Sequence, residues 1–116
     1  MINSKIQELD LKCISLKAVE LGLISNEESK NSEYLYRIFL FLKKTYPNKK
    51  IIPTHQVDMF WHCHILFTQK YFEDCNKIFG YYLHHHPVSN QNHIDNMSTY
   101  REDTLRLVRL HFPGFI

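Results

Sequence analysis

The sequence predicts an all-α protein, a compact single-domain helical bundle of about four to five helices with a His-rich loop, over residues 1–116. Apolar residues recur at helical spacing in four segments, and no segment shows the alternation typical of strands. A chain of 116 residues suffices for one domain, whereas two half-length domains would each bury too little surface. The low counts of Gly (3) and Pro (4) exclude linker-like or low-complexity sequence.

Two helices are predicted in the first half of the chain. The first covers Ser4 to Leu23, and its apolar residues share one stripe. These residues are Ile6, Leu9, Cys13, Leu16 and Leu23. The second covers Glu27 to Tyr46 and ends before Pro47, which cannot continue a helix. Its expected buried face consists of Leu35, Ile38, Phe39 and Leu42.

The third helical region begins at Val57, and its apolar stripe continues to Phe79, with Gly80 as a candidate C-cap. Thr68 is a candidate N-cap in the middle of this region. The region is therefore either one long rod or two helices separated near Thr68.

The last quarter of the chain combines a predicted loop with a predicted helix. Residues 81–95 contain Pro87 and several polar turn formers, which indicates a loop. The final helix covers Met97 to Leu110, and we expect Leu105 and Val108 to face inward.

Composition excludes several classes of function. The N-terminus lacks an apolar signal segment, and no apolar run approaches the ~20 residues that span a bilayer. We therefore expect a cytoplasmic protein that has no membrane partner. The net charge of +2 is small. The basic cluster of Lys43, Lys44, Lys49 and Lys50 lacks the aromatic platform of single-strand binders, which disfavours nucleic acid as a partner.

Three cysteines, Cys13, Cys63 and Cys75, occur without a CxxC pair. An odd number of cysteines and no signal segment favour reduced thiols over disulfides, and no zinc knuckle is visible. Cys75 lies on the apolar stripe, whereas Cys63 lies away from it. The sequence assigns no role to Cys13 or Cys63.

Histidine is the unusual feature, because seven of the eight His residues lie between His55 and His93. Histidine is the commonest metal ligand and the usual general base near neutral pH. Asp58 and His62 are one helical turn apart and can chelate an ion together, or Asp58 can orient the imidazole. His64 faces the apolar seam, ~200° around the helix from His62, so one ideal helix cannot direct both at one ion.

The second group, His84, His85 and His86, precedes Pro87, which favours an extended backbone. An unbroken helix to Phe79 would leave His62 ~27 Å from Gly80. The six residues after Gly80, fully extended, could reach back over at most ~20 Å of that distance. A break near Thr68 would fold the chain back. A single site built from both groups therefore requires that break.

The strings VDxxWHxH at 57–64 and LHHxP at 83–87 are distinctive. They resemble the glycine-rich domain-containing protein-like family, over roughly residues 53–87, as a short stand-alone member. The resemblance implies an intracellular helical domain without an assigned biochemical role, and a Pro near Thr68 in relatives supports a break there. The positions carried over from the family are Asp58, Trp61, His62, His64, Cys75, His84 and His85. The Gly-rich segment of the larger relatives is missing from this chain.

These observations predict a metal-binding protein with a pocket lined by His and Asp residues. The predicted ligands are His62, His64, His84, His85 and Asp58, and the expected ion is zinc or iron. Trp61, Thr68 and Cys75 are expected to support the ligands or the fold. A metal-activated water could then serve catalysis on an unknown small molecule.

The alternative is a non-enzymatic protein-interaction module. In that hypothesis the His, Asp and Trp residues form a structural hydrogen-bond network, and a surface groove binds a protein partner. Bound metal stabilises a protein by mass action, so the effect of a chelator on the melting temperature separates the two hypotheses.

Overall fold

Six α-helices make up the secondary structure in the computed structural model, which describes residues 2–86 and 91–114. In chain order they are α1 (Ser4–Gln7), α2 (Lys12–Glu20), α3 (Ser29–Thr45), α4 (His55–Leu66), α5 (Thr68–Ile78) and α6 (Gln91–His111). The described residues contain no strand, so the predicted all-α, single-domain class is confirmed. Within the same residues, no helix has the length and apolar character needed to cross a bilayer.

Helices α3 and α4 form the centre of the bundle, and α4 also contacts α2 and α5. Aromatic side chains fill the contact between the two central helices. The rings of Tyr36 and Phe60 lie 5.0 Å apart, and those of Phe39 and Trp61 lie 4.8 Å apart. Burying each such side chain contributes about 1.5–3 kcal/mol, so this contact is a major source of stability.

The predicted first helix is in fact two helices, because the chain turns between α1 and α2. The buried guanidinium of Arg37 on α3 donates to the carbonyl oxygens of Ile6, Gln7 and Leu9 at 2.6, 3.2 and 3.0 Å. These carbonyls are therefore satisfied outside a continuous helix. The break also changes the buried face, since Leu16 is exposed although the uninterrupted stripe placed it inward.

The helical region does break near Thr68, which is the alternative that a shared site requires. Thr54 caps the start of α4 through its side chain, and α4 ends at Leu66. Phe67, at φ −84° and ψ 69°, then redirects the chain into α5. Thr68 itself is the first residue of α5 rather than its cap, and no side chain caps this helix.

Helix α6 begins at Gln91, six residues before the predicted start at Met97. Its first turn is stabilised by a side-chain hydrogen bond of 2.8 Å from Gln91 to Asp95. The predicted loop therefore ends earlier than expected, and residues 82–86 lack regular secondary structure. The rest of that predicted loop, residues 87–90, lies outside the described residues.

A buried polar network joins α3, α4 and α5 around the side chain of His64, which is 1 % exposed. Nε2 of His64 lies 2.8 Å from Oδ2 of Asp74, which must accept, and Nδ1 lies 2.7 Å from the Tyr36 hydroxyl. Burial raises the pKa of Tyr36 well above its usual value, so the hydroxyl keeps the proton that it can donate in this hydrogen bond. Lys70 also joins the network by forming an ion pair with Asp74, with Nζ 3.0 Å from Oδ2.

A second buried chain of hydrogen bonds fixes the segment after α5. The indole N–H of Trp61 donates to the Tyr71 hydroxyl at 2.9 Å, and this hydroxyl donates to the Leu83 carbonyl oxygen. Burial raises the pKa of Tyr71, which keeps its proton available for that bond. The position of Leu83, and so of the histidines that follow it, is tied to α4.

Gly80 ends α5 with a positive φ of 78°, a conformation that residues with a Cβ adopt at a cost of roughly 1–2 kcal/mol. A Cβ at this position would meet no atom within 4 Å, so the cost is conformational rather than steric. We expect Gly80→Ala to lower the free energy of unfolding in urea by roughly 1 kcal/mol. Gly114→Ala, which lacks the positive φ and also has open space, is the control and should change it by only a few tenths. Equal losses in both variants would contradict this account of Gly80.

Asp74 should make stability depend on acidic pH. Burial opposes ionisation of its carboxyl, but hydrogen bonds from His64 and Lys70 outweigh that effect and lower its pKa. The stability contributed by the ionised carboxylate is therefore present above about pH 4 and lost as the pH falls through the lower folded-state pKa. We expect Asp74→Asn to cost about 1–3 kcal/mol at pH 7. The difference in the free energy of unfolding between the wild type and Asp74→Asn, measured in urea, should become smaller below about pH 4. Glu73→Gln, at an exposed position, should show no such difference from the wild type.

Candidate metal centre

Three side chains from two segments converge on the exposed face of α4. Asp58 and His62 lie one turn apart on this helix, and His85 reaches them from the segment after α5. The three residues each offer one ligand atom, and these atoms all lie within 4.8 Å of one another. The turn at Phe67 makes this possible, because it brings the end of α5 back beside α4.

The Asp58 carboxylate faces a ring nitrogen of each imidazole. Its Oδ1 accepts from Nε2 of His85 at 2.7 Å, and its Oδ2 lies 3.8 Å from Nδ1 of His62. The two imidazole rings are stacked, with centroids 4.6 Å apart and planes 21° apart. One acidic group therefore faces two potential nitrogen donors.

The indole ring of Trp61 packs against the imidazole ring of His85. The two rings are stacked with their centroids 4.0 Å apart, and the indole is itself held by the Tyr71 hydroxyl. The supported ring of His85 is 22 % exposed, whereas the side chain of His62 is 46 % exposed. The centre thus combines Asp58 and His85, which are hydrogen-bonded to each other, with His62 on the solvent side.

The donor set suits a transition metal. Two imidazoles and one carboxylate are three protein ligands, the number typical of catalytic zinc sites, and they are also the set of non-haem iron sites. Three ligands leave at least one coordination position for water. The spacing of the three ligand atoms is compatible with a bound metal ion.

The five predicted ligands do not come together as one set. Asp58, His62 and His85 meet, but His64 points into the core, where Tyr36 and Asp74 occupy both of its ring nitrogens. A metal ligand needs a free nitrogen lone pair, which His64 lacks. The angle of ~200° between positions 62 and 64 explains the separation.

His84 also lies apart from the three residues, because the extended backbone sends successive side chains to opposite sides. Its ring is exposed and contacts those of Tyr82 and His86, at centroid distances of 4.7 and 6.0 Å. Only His85 of this triplet belongs to the described group.

The three residues expected to support the ligands differ in position. Trp61 contacts His85 directly. Cys75 is buried in the core, and burial raises the pKa of its thiol. Thr68 is exposed at the start of α5 and belongs to neither hydrogen-bond chain.

The cysteines are free thiols. Cys13 is exposed, whereas Cys63 is fully buried although the helical wheel placed it away from the apolar seam. Helix α4 is enclosed by α2 as well as by α3, so two of its faces are buried. Burial raises the pKa of Cys63, which makes it a poor nucleophile.

Tyr36, Tyr71 and Asp74 have roles that the sequence did not indicate. They satisfy His64 and Trp61, and all three are buried. One usable signal was present: Tyr71 and Asp74 are three residues apart on α5, so they share a face with the apolar Ile78 and Cys75. A polar residue on a buried face needs a partner, and His64 faced the same core.

Comparisons with known proteins bear on the family alone. Neither the curated proteins nor the solved structures contain a match to this chain. The sequence does match one family model, described as UCP032817-like, and this description names no activity, ligand or partner. The expected membership of the glycine-rich domain-containing family is therefore wrong. Because the match covers residues 14–108, most of the chain, this protein belongs to the UCP032817-like family.

Proposed function

We propose that this protein binds one divalent first-row transition metal ion, zinc or iron, through Asp58, His62 and His85. The observation that carries the proposal is the convergence of three donors from positions 58, 62 and 85 to within 4.8 Å. Asp58 and His62 are neighbours on any helix, but His85 comes from a separate segment. Its ring is held in place by Trp61, an apolar side chain that itself binds no ion.

The distances are compatible with metal coordination after small movements. Ligand atoms about 2.0–2.1 Å from a tetrahedral zinc ion are roughly 3.3–3.5 Å from each other. Oδ1 of Asp58 and Nε2 of His85 lie closer than that, at 2.7 Å, because a proton joins them. Oδ2 of Asp58 and Nδ1 of His62 lie slightly farther apart, at 3.8 Å. Replacing the proton by an ion would require shifts of about 0.3–0.8 Å for these two pairs, and the ligand atoms of His62 and His85 lie within 4.8 Å of each other.

A metal ion held by three protein ligands would keep a coordination position open, which favours a catalytic role. A bound zinc or iron ion would hold a water molecule on the solvent side, beside the exposed His62, and lower the pKa of that water. Hydrolysis or oxygen chemistry on a small molecule is the corresponding class of reaction. Asp58 would neutralise part of the ion's charge, while His85 and Trp61 would hold the site in position.

The alternative, an interaction module with a structural network, has support from the same residues. The hydrogen bond from His85 to Asp58 and the stacking of His85 on Trp61 hold the segment after α5 in place without an ion. The buried bonds of His64 and Trp61 are structural in either case. The two hypotheses therefore differ only at Asp58, His62 and His85.

Metal stoichiometry tests the proposal. Tag-free protein dialysed against zinc should contain about one zinc per chain by elemental analysis. The double variant His62→Ala with His85→Ala should fall well below one, because a single carboxylate holds zinc weakly. The double variant His84→Ala with His86→Ala is the matched control: it removes two imidazoles from the same loop region but none from the group, and should keep the wild-type value. Equal stoichiometry in the two double variants would reject the site.

Melting temperatures separate the metal site from the structural network. Asp58→Asn keeps an oxygen that accepts from His85 but removes the negative charge that a metal ligand needs. Metal-free wild type and variant should melt within a few degrees of each other. Zinc at about 100 times its dissociation constant should stabilise the wild type by about 2.7 kcal/mol and the variant far less. The absence of any zinc-induced shift in the wild type would favour the interaction module.

A further inference from the structure

An apolar groove runs between α3 and α6, on a part of the molecule separate from Asp58, His62 and His85. Its volume is about 680 Å³, within the range of small-molecule sites. Apolar side chains form most of its lining: Leu35, Ile38, Leu42, Ile51, Val57 and Val108. In the middle, Thr104 of α6 accepts from the backbone N–H of Ile52 at 3.0 Å and so holds the segment before α4 against α6.

The groove has a polar end and an apolar end. Helices α3 and α6 run in the same direction, so the lining residues of both helices can be placed at one end or the other. Their C-terminal ends meet, since Tyr46 is hydrogen-bonded to His111 at 2.6 Å. Leu42 and Val108 therefore line the end nearest those C-termini. Eleven residues earlier on α3, ~16 Å away along the helix, Asn31 lines the other end.

The polar end carries an available positive charge. Arg101 lines it on α6, with Asn31 on α3, and Thr54 and His55 at the start of α4. No carboxylate among the described residues forms an ion pair with Arg101. The nearby Glu28 accepts from the N–H of Ser25 and does not line the groove. The Arg101 guanidinium is thus exposed and ready to pair with an anion.

The apolar part is recessed rather than flat. Ile38, Leu42, Ile51 and Val57 are each at most 5 % exposed, so they form a floor. Leu105 differs from the other large apolar side chains of the groove in the described part of the chain, because it alone is strongly exposed. The helical pattern had placed it inward. A recess with a buried apolar floor suits a slender hydrocarbon chain better than the broad surface of a second protein.

We infer that this groove binds an amphipathic carboxylate, a fatty-acid-like molecule whose hydrocarbon chain lies along α3 and whose carboxylate pairs with Arg101. The chain would cover the apolar floor between Leu35 and Leu42. The carboxylate would take hydrogen bonds from the guanidinium at the open end. This inference is independent of the metal centre, because none of the three metal-centre residues lines the groove.

Calorimetric titration with sodium dodecanoate, below its micelle concentration, tests the inference. We expect saturable binding of about one molecule per chain, and weaker binding of dodecanol, which lacks the charge. Arg101→Gln should weaken dodecanoate binding by about fivefold or more and leave dodecanol binding nearly unchanged. Leu105→Gln should weaken the binding of both ligands, because it makes one wall polar.

Two exposed positions on the same helix provide matched controls. Arg109→Gln and Leu110→Gln make the same substitutions at residues that do not line the groove, and should bind dodecanoate like the wild type. Non-saturable binding, or equal effects at Arg101 and Arg109, would overturn the inference. A wild-type dimer in sedimentation that dissociates in Leu105→Gln and does not bind dodecanoate would also overturn it, since the groove would then be a subunit interface. The double variant His62→Ala with His85→Ala should keep dodecanoate binding, which separates this test from that of the metal centre.

Discussion

The requirement that a buried imidazole be paired at both nitrogens organises this protein. His64 is almost fully buried on α4, and an unpaired polar group there would cost about 1–3 kcal/mol. Its two partners come from different helices, Tyr36 on α3 and Asp74 on α5. Helix α5 can supply Asp74 only if the chain turns back at Phe67. The same turn then places Leu83 under the Tyr71 hydroxyl and His85 beside Asp58.

The two histidines of the HxH string therefore do different work. His62 faces solvent and belongs to the candidate metal centre, whereas His64 faces the core and holds three helices together. On a strand, residues two apart share a face and could chelate one ion, but on a helix they diverge. Trp61, between the two surfaces, connects them: one face of its ring supports His85, and its N–H reaches the buried Tyr71.

Local spacing predicted much of this arrangement. The adjacency of Asp58 and His62 and the burial of His64 follow from helical periodicity, whereas a break near Thr68 is only one of the two possibilities that the spacing leaves open. What failed depends on contacts distant in sequence. The separation of α1 from α2 reflects Arg37, which contacts carbonyls 28–31 residues away. The choice of His85 over His84 depends on the orientation of an extended segment, which Trp61 and Tyr71 fix and which no local pattern encodes.

The hydrogen bond between His85 and Asp58 means that folding of this region does not depend on a bound metal ion. Zinc fingers are unfolded until their metal arrives, because nothing else holds their ligands together. Here a proton, a stacked indole and a buried tyrosine already hold the donors in register. Folding can therefore be complete before any ion is delivered. Binding of the proposed ion would then exchange the shared proton for a cation on an already folded surface.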